Sequence, residues 1–371
     1  MRREDVDASD AGYMRMALAL AARGAGRTWP NPTVGCVIVA GGQVVGRGWT
    51  QPGGRPHGET EALRRAGAAA RGACVYVSLE PCIHHGGTPP CVDALLAAGI
   101  GRAVVALEDP DPRVAGRGIK ALRAAGVPVS VGTLADEAGA LNQGFILRIT
   151  RGRPLFTLKL ATSLDGRIAS ASGESRWITG ETARAYAHRL RAQHDAVLVG
   201  IDTAVADDPD LGCRLPGFEA WSPVRLVADT SARLPPERAL VRTARQRPTW
   251  LLTASPRSPA AEALRQAGVR VLPVDRGADG HLNPEGMAAA LAEQGLTRVL
   301  AEGGGRLARS LLAAGLIDRL VWFHAPMIIG GGGLAAVGTS EAAGLAAAFR
   351  FVRREIRPVG DDVMEIYQRA G

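Results

Sequence analysis

The strongest constraint on what this chain can fold into is a spacing. His57, Glu59, Cys82 and Cys91 share one stretch, in which HGETEALRRAG is followed by ACVYVSLE and then by PCIHHGGTPPCVDALLAAG. An imidazole and two thiolates can hold one Zn²⁺ and leave its fourth position to water, the arrangement of a catalytic rather than a structural zinc site. For the three groups to meet, the chain must start a helix near His57, run through a strand, and start a second helix near Cys91. The residues agree with this. The run after Pro56 has helix-forming composition and stops at Gly67, ACVYVSLE is β-branched and aromatic, and Pro89 and Pro90 precede Cys91 where a helix start tolerates proline. Two helix N-termini facing one ion would also favour the thiolate form of the cysteines.

Glu59, two residues from His57, is then left over as a proton carrier for water attack. Two alternatives stay open. His84 or His85 can supply a fourth ligand and make the site structural, which leaves Glu59 without a role; or the two histidines face solvent or substrate. Cys36 and Cys74, inside apolar runs, read as core thiols, and Cys213 has no evident partner.

H-x-E followed by P-C-x-x-C is the zinc deaminase signature, but here eight residues, IHHGGTPP, separate the cysteines. That insertion resembles the riboflavin-biosynthesis deaminases, whose usual form is close to EPCSHHGRTPPC. Ile83 stands where Ser is usual, Gly87 where Arg is usual and Gly58 where Ala is usual. No ligand is lost, but the cation of that loop position is. PNPTVG, DPDPRVAGRG (with Asp111 in place of Asn) and LNQGFILRITRGRP match further blocks of the family. The resemblance implies an N-terminal cytidine-deaminase-like three-layer sandwich and places Asn31 against the pyrimidine.

A chain of 371 residues, 46% hydrophobic, is natural for two domains with full cores. Five cysteines without small-scaffold spacing argue against a disulfide framework. The only signal-peptide candidate, YMRMALALAA, follows Glu4, Asp5, Asp7 and Asp10, an acidic lead unsuited to secretion. A cytoplasmic protein without membrane spans is expected. Its net charge of +8 is interspersed and forms no basic block, so no nucleic-acid partner is expected.

Along the chain, Asp10 is expected to cap a first helix ending near Ala22, and VGCVIV and VVGRGW around AGGQ to form a hairpin. RAVVALEDP and VPVSVG alternate with the helices GRGIKALRAAG and LADEAGALNQGFILRI, which implies parallel strands with both ligand-bearing helices on one side of the sheet. A hinge is expected near Arg151 to Pro154, dividing the α/β chain into residues 1–150 and 151–371. Past it, strands are expected at PLFTLKLAT, DAVLVG, PVRLVAD, PTWLLTA, VRVLPV and TRVLAEG, an Asp-rich loop after DAVLVG, a long strand DRLVWFHAPMIIG, and a closing hairpin from Phe349.

This second half resembles the reductase found fused to the same deaminase, a relative of dihydrofolate reductase in fold, and the likeness runs from Asp10 to about Ile329. It implies NADPH as cofactor and a phosphoribosylated aminopyrimidine as substrate. Ser175, Arg191, Arg214 and Glu302 match substrate positions. Trp177, Thr203, Asp207, Leu211, Thr230 (where Ser is usual), Gly304, Gly305 and Arg306 match cofactor positions. The GGGR turn before a helix suits a diphosphate, and Arg191 and Arg214 suit a phosphate. Lys159, one of two lysines, and Asp165 are further candidates from LKLATSLDG. A homo-oligomer is expected. The competing readings are a nucleic-acid base deaminase with an accessory binding domain, and a zinc-stabilised binding protein with four protein ligands.

Overall fold

The computed structural model describes residues 3–84, 89–338 and 344–370. The chain divides into two compact units, Met1–Gly152 and Arg153–Gly371.

In the first unit the elements are α1 (Arg3–Ala21), β1 (Gly35–Ala40), β2 (Gln43–Trp49), α2 (Gly58–Ala66), β3 (Cys74–Val77), α3 (Cys91–Ala97), β4 (Arg102–Val105), α4 (Arg117–Ala124), β5 (Val129–Val131) and α5 (Ala135–Arg151). The sheet order is β2-β1-β3-β4-β5, with β3, β4 and β5 parallel and β1 antiparallel to both of its neighbours. Because side chains alternate across a strand, each strand feeds two cores. Cys36, Ile38, Val75 and Ala103 pack against Ala62 of α2, Val92 and Leu95 of α3 and Leu122 of α4. Val37, Val39, Tyr76 and Val104 pack against Met14 and Ala17 of α1 and Ala138 of α5. The expected three layers are present, with α2 and α3 on one side.

Asp10 does not cap α1. The helix begins at Arg3, and the buried Asp10 carboxylate accepts hydrogen bonds from Tyr76 Oη at 2.7 Å and from Arg102 Nη1 and Nη2 at 3.1 and 2.6 Å. An acid ahead of an apolar run reads in sequence like a cap, but here the sheet provides stronger donors.

The second unit comprises β6 (Leu155–Thr162), β7 (Arg167–Ala169), α6 (Glu181–Ala192), β8 (Ala196–Gly200), α7 (Ile201–Asp207), β9 (Val224–Ala228), α8 (Ala239–Arg242), β10 (Thr249–Thr253), α9 (Pro259–Gln266), β11 (Arg270–Pro273), α10 (Pro284–Glu293), β12 (Arg298–Ala301), α11 (Gly305–Ala313), β13 (Ile317–His324), β14 (Leu334–Ala335), β15 (Phe351–Val359) and β16 (Asp362–Arg369). The main sheet runs β11-β10-β9-β8-β12-β6-β13-β16-β15, parallel up to β13 and closed by the antiparallel hairpin β15–β16. Two expectations are corrected. The segment after β8 is first a helix, α7, because Ile201 and Ala204 supply a buried face; the Asp-rich loop starts only at Asp208. The long strand stops at His324, since Pro326 has no N–H to continue a ladder.

Candidate active site

His57 is the N-cap residue of α2, Cys91 opens α3, and Cys82 follows the C-terminal end of β3. The first helix can lie directly on β2 because Gly48 has no side chain: a Cβ there would stand 2.0 Å from the Gly58 carbonyl oxygen and 2.5 Å from the Ala62 nitrogen. The same closeness accounts for Gly58, whose Cβ would meet the Val34 carbonyl oxygen at 2.7 Å. His57 Nδ1 lies 3.6 Å from Cys82 Sγ and 3.3 Å from Cys91 Sγ, and all three ligand atoms fall within 4.8 Å of one another. The Cys91 backbone N–H donates to Cys82 Sγ at 3.3 Å. Donors from Cys91 draw the Cys82 thiol well below its ordinary range, against the opposing effect of burial. Among the described residues no fourth metal-binding side chain joins this group; His84 does not, and His85 lies outside the described residues.

Glu59 is buried, and its Oε2 has no hydrogen-bond partner. Burial pushes its carboxyl up to about 7, against the pull of His57. One imidazole nitrogen, two sulfurs and an orphaned carboxylate oxygen beside them form a donor set that fits Zn²⁺ with an open position.

These residues line a cavity of about 290 Å³. Its walls include Asn31, Arg55, His84, Asp109, Asp111, Arg113, Phe145 and Arg148. Asn31 Nδ2 donates to the Gly54 carbonyl at 3.3 Å. Two of the sequence blocks that bound the cavity are tied together: Asn142 Oδ1 accepts from Thr33 N–H at 3.0 Å, and Asn142 Nδ2 donates to the Thr33 carbonyl at 3.1 Å. Arg55, Arg113 and Arg148 were not singled out from sequence; DPDPRVAGRG and LNQGFILRI pointed to the segments of the latter two but not to the side chains.

In the second unit, three of the sequence candidates meet. Arg191 on α6 donates from Nε and Nη2 to both carboxylate oxygens of Glu302, at 2.7 and 2.9 Å, and from Nη1 to the Gly212 carbonyl at 3.2 Å. Lys159 on β6 belongs to the same electrostatic group. Burial would push Glu302 up, but Arg191 and Lys159 outweigh it and hold the carboxyl near about 2. Arg214 adjoins them through its backbone N–H, 3.3 Å from His188 Nδ1. Thr203 Oγ1 accepts from Gly304 N–H at 3.1 Å, and Arg306 pairs with Asp202 at 3.0 Å, so the starts of α7 and α11 are joined. Leu211 is buried with a left-handed φ of 59°, uncommon for a non-glycine residue. Trp177 is exposed under the Arg184 guanidinium, and Arg176 Nη2 donates to the Asp207 carbonyl. Ser175 is half-buried, and the Thr230 carbonyl accepts from Ala254 N–H. Asp165 is saturated by Ser163 Oγ, Ile329 N–H and Gly330 N–H, the bonds of a turn clamp.

Residues 7–107 match the family model described as the cytidine and deoxycytidylate deaminase zinc-binding region, and residues 154–364 match the RibD C-terminal domain. Fold and site thus define an enzyme in which a zinc-dependent deaminase is joined to an NADPH-dependent reductase. The riboflavin biosynthesis protein RibD of Escherichia coli K12 is 43% identical over 95% of this chain and 98% of its own length, and that of Aquifex aeolicus 40% over 97% and 98%. Among solved structures, Acinetobacter baumannii RibD superposes with a TM-score of 0.89 at 37% identity, covering 98% of this chain and 100% of that one. The Thermotoga maritima diaminohydroxyphosphoribosylaminopyrimidine deaminase/5-amino-6-(5-phosphoribosylamino)uracil reductase gives a TM-score of 0.85 at 30% identity, with 98% and 99% covered. The chain belongs to the RibD family, and it acts in riboflavin biosynthesis by deamination and reduction of a small-molecule substrate. The nucleic-acid deaminase alternative is not favoured.

Proposed function

We propose that the first unit removes the exocyclic amine of a phosphoribosylated diaminopyrimidinone and that the second reduces the ribosyl side chain of the product to ribityl. The observation that carries the first step is the unpartnered, buried Oε2 of Glu59 beside His57, Cys82 and Cys91. His57, Cys82 and Cys91 would hold a zinc ion, which when bound would acidify a water molecule. Glu59 takes a proton from the attacking water as the water's oxygen bonds to the ring carbon, and hands protons to the ring nitrogen and to the amine that leaves as ammonia; burial, which favours its protonated form, suits it to hold the proton between the two transfers. Asn31, on the wall of the same cavity, orients the pyrimidine.

In the second unit NADPH supplies hydride. Trp177, Thr203, Asp207, Leu211, Thr230 and the turn Gly304 to Arg306 hold it in this reading, supported by the bond that joins Thr203 to the N-terminus of α11, an end suited to anions. Ser175, Arg191, Arg214 and Glu302 position the substrate, with Lys159 beside them. Because Arg191 is engaged on Glu302, the pair acts as a unit, and Arg214 is the better candidate for direct phosphate contact. A deaminase half of residues 1–150 and a reductase half of 151–371, assembled as a cytoplasmic homo-oligomer independent of nucleic acid and membranes, belong to the same proposal. Among the described residues no helix is long and apolar enough to cross a membrane.

Liquid chromatography of reactions on the ribosylated diaminopyrimidine phosphate tests the reading. Without NADPH the deaminated ribosyl compound should accumulate, and with NADPH the ribityl compound. Unchanged substrate from zinc-replete protein would contradict it.

A further inference from the structure

In the second unit, α6 carries Arg184, His188 and Arg191, a spacing that puts the three side chains on one face of the helix. The two arginines each hold part of the site. The Arg184 guanidinium lies 4.5 Å from the centroid of the Trp177 ring, and Arg191 grips Glu302 and the Gly212 carbonyl. His188, half-buried, stands between them.

Its partner is the loop that ends in Arg214. Three successive backbone N–H groups of that loop donate to side chains: Gly212 to Asp210 Oδ1 at 2.9 Å, Cys213 to Ser222 Oγ at 3.0 Å, and Arg214 to His188 Nδ1 at 3.3 Å. Arg247 braces the first of these by donating from Nη1 to Asp210 Oδ1 at 2.6 Å. Leu211 takes its left-handed φ within this run, and a Cβ on Gly212 would stand 2.5 Å from Arg247 Nη1. A backbone in that conformation persists only where its surroundings over-determine it. Asp210, Ser222 and His188 do so here, and they leave the Arg214 side chain exposed, with no hydrogen-bond or ion-pair partner among the described residues.

The bond to Arg214 also places the proton of the ring. An amide N–H can only donate, so Nδ1 accepts and Nε2 carries the hydrogen. The same Nδ1 is 3.2 Å from the Gly212 carbonyl, which accepts instead from Arg191 Nη1. Burial lowers the His188 pKa, and Arg191 and Arg214 lower it further, so the imidazole is neutral at pH 7.

We infer that His188 is a positioning residue of the reductase, which holds the Arg214 backbone so that its guanidinium is aimed at the substrate's phosphate. A cation aimed in advance loses less freedom when the anion arrives. This role rests on the reading of Arg214 as the phosphate contact.

The test is steady-state reduction by His188→Leu, His188→Asn and Arg214→Ala proteins at saturating NADPH, on the deaminated ribosyl phosphate and on its dephosphorylated riboside. Leucine fills the space of the ring without an acceptor, whereas an asparagine Oδ1 can accept near the place of Nδ1. His188→Leu should raise KM for the phosphorylated substrate roughly five- to tenfold, leave kcat near wild type, and change nothing for the riboside. His188→Asn should recover most of the loss. Because His188 acts through Arg214, adding His188→Leu to Arg214→Ala should raise KM no further. A wild-type KM in His188→Leu beside a raised one in Arg214→Ala, equal losses on both substrates, no recovery by His188→Asn, or full additivity in the double variant overturns the positioning role and leaves the reading of Arg214 intact. A wild-type KM in Arg214→Ala overturns that reading and the role with it.

Discussion

The cluster of the first unit and that of the second differ in what each lacks. At His57, Cys82 and Cys91 two sulfurs crowd one ring nitrogen, and a buried carboxylate oxygen nearby has no partner. At Lys159, Arg191 and Glu302 the charges answer one another: both oxygens of Glu302 are bonded, and the guanidinium is engaged on Nε, Nη1 and Nη2. An arrangement with unmet valences is completed by an ion. One whose carboxylate and guanidinium are already bonded to each other is a rigid wall, and it can shape a ligand without being reorganised by it.

Substituting the ligands should have the largest effect. Cys82→Ser or Cys91→Ser should abolish deamination and zinc binding together, because a hydroxyl does not readily become an anionic ligand at neutral pH; full zinc stoichiometry by metal analysis would contradict the assignment. Glu59→Gln sharpens the contrast. It should keep its zinc but lose roughly 10² to 10⁴ in deamination rate, and still oxidise NADPH when given the deaminated intermediate. Breaking the second cluster should act on stability instead. Glu302→Gln leaves Arg191 and Lys159 as unanswered neighbouring cations, and loss of one partner of a buried pair costs about 3–5 kcal/mol. The denaturant midpoint of the reductase transition should fall while zinc content and deamination hold, and an unchanged midpoint would show that the pair contributes little.

The smallest effect is a pH dependence confined to the second unit. His194 is buried, bonded to the Leu190 carbonyl and Thr157 Oγ1, and burial lowers its pKa from 6.5 to about 3. The folded state resists protonation more than the unfolded state does. This contribution is therefore intact above pH 6.5 and lost as pH falls toward 3, at up to roughly 1.4 kcal/mol per pH unit. His194→Gln should reduce the loss of unfolding free energy of the reductase transition between pH 7 and pH 5 by about 2 kcal/mol in total, and identical slopes in the two proteins would remove His194 from the account.

The first cluster was legible because its members lie on consecutive elements, where spacing translates into geometry. The alternation of the strands RAVVALEDP and VPVSVG with the helices GRGIKALRAAG and LADEAGALNQGFILRI likewise announced a layered sheet, and the residues of β1 now pack into cores on both of its faces. Arg191 and Glu302 are separated by more than a hundred residues, and nothing local marks either; only the resemblance selected them. Asp10 failed for a related reason, since a carboxylate before an apolar run looks alike whether its donors are the helix's own N–H groups or an arginine on a distant strand. Ile201 and Ala204 were overlooked because the aspartates around them dominate the composition of that segment.

Glu80, two residues before the ligand Cys82, ties down Asp109, Gly116 and Ile119 by their backbone N–H groups. The metal-bearing turn and the far wall of the cavity are thereby geared to one carboxylate. An insertion or deletion between 109 and 119 would strand those donors, so this loop is closed to change in length. Whatever evolution or design does to the selectivity of this wall must be done by exchanging side chains at positions such as 111 and 113, on a backbone that stays where it is.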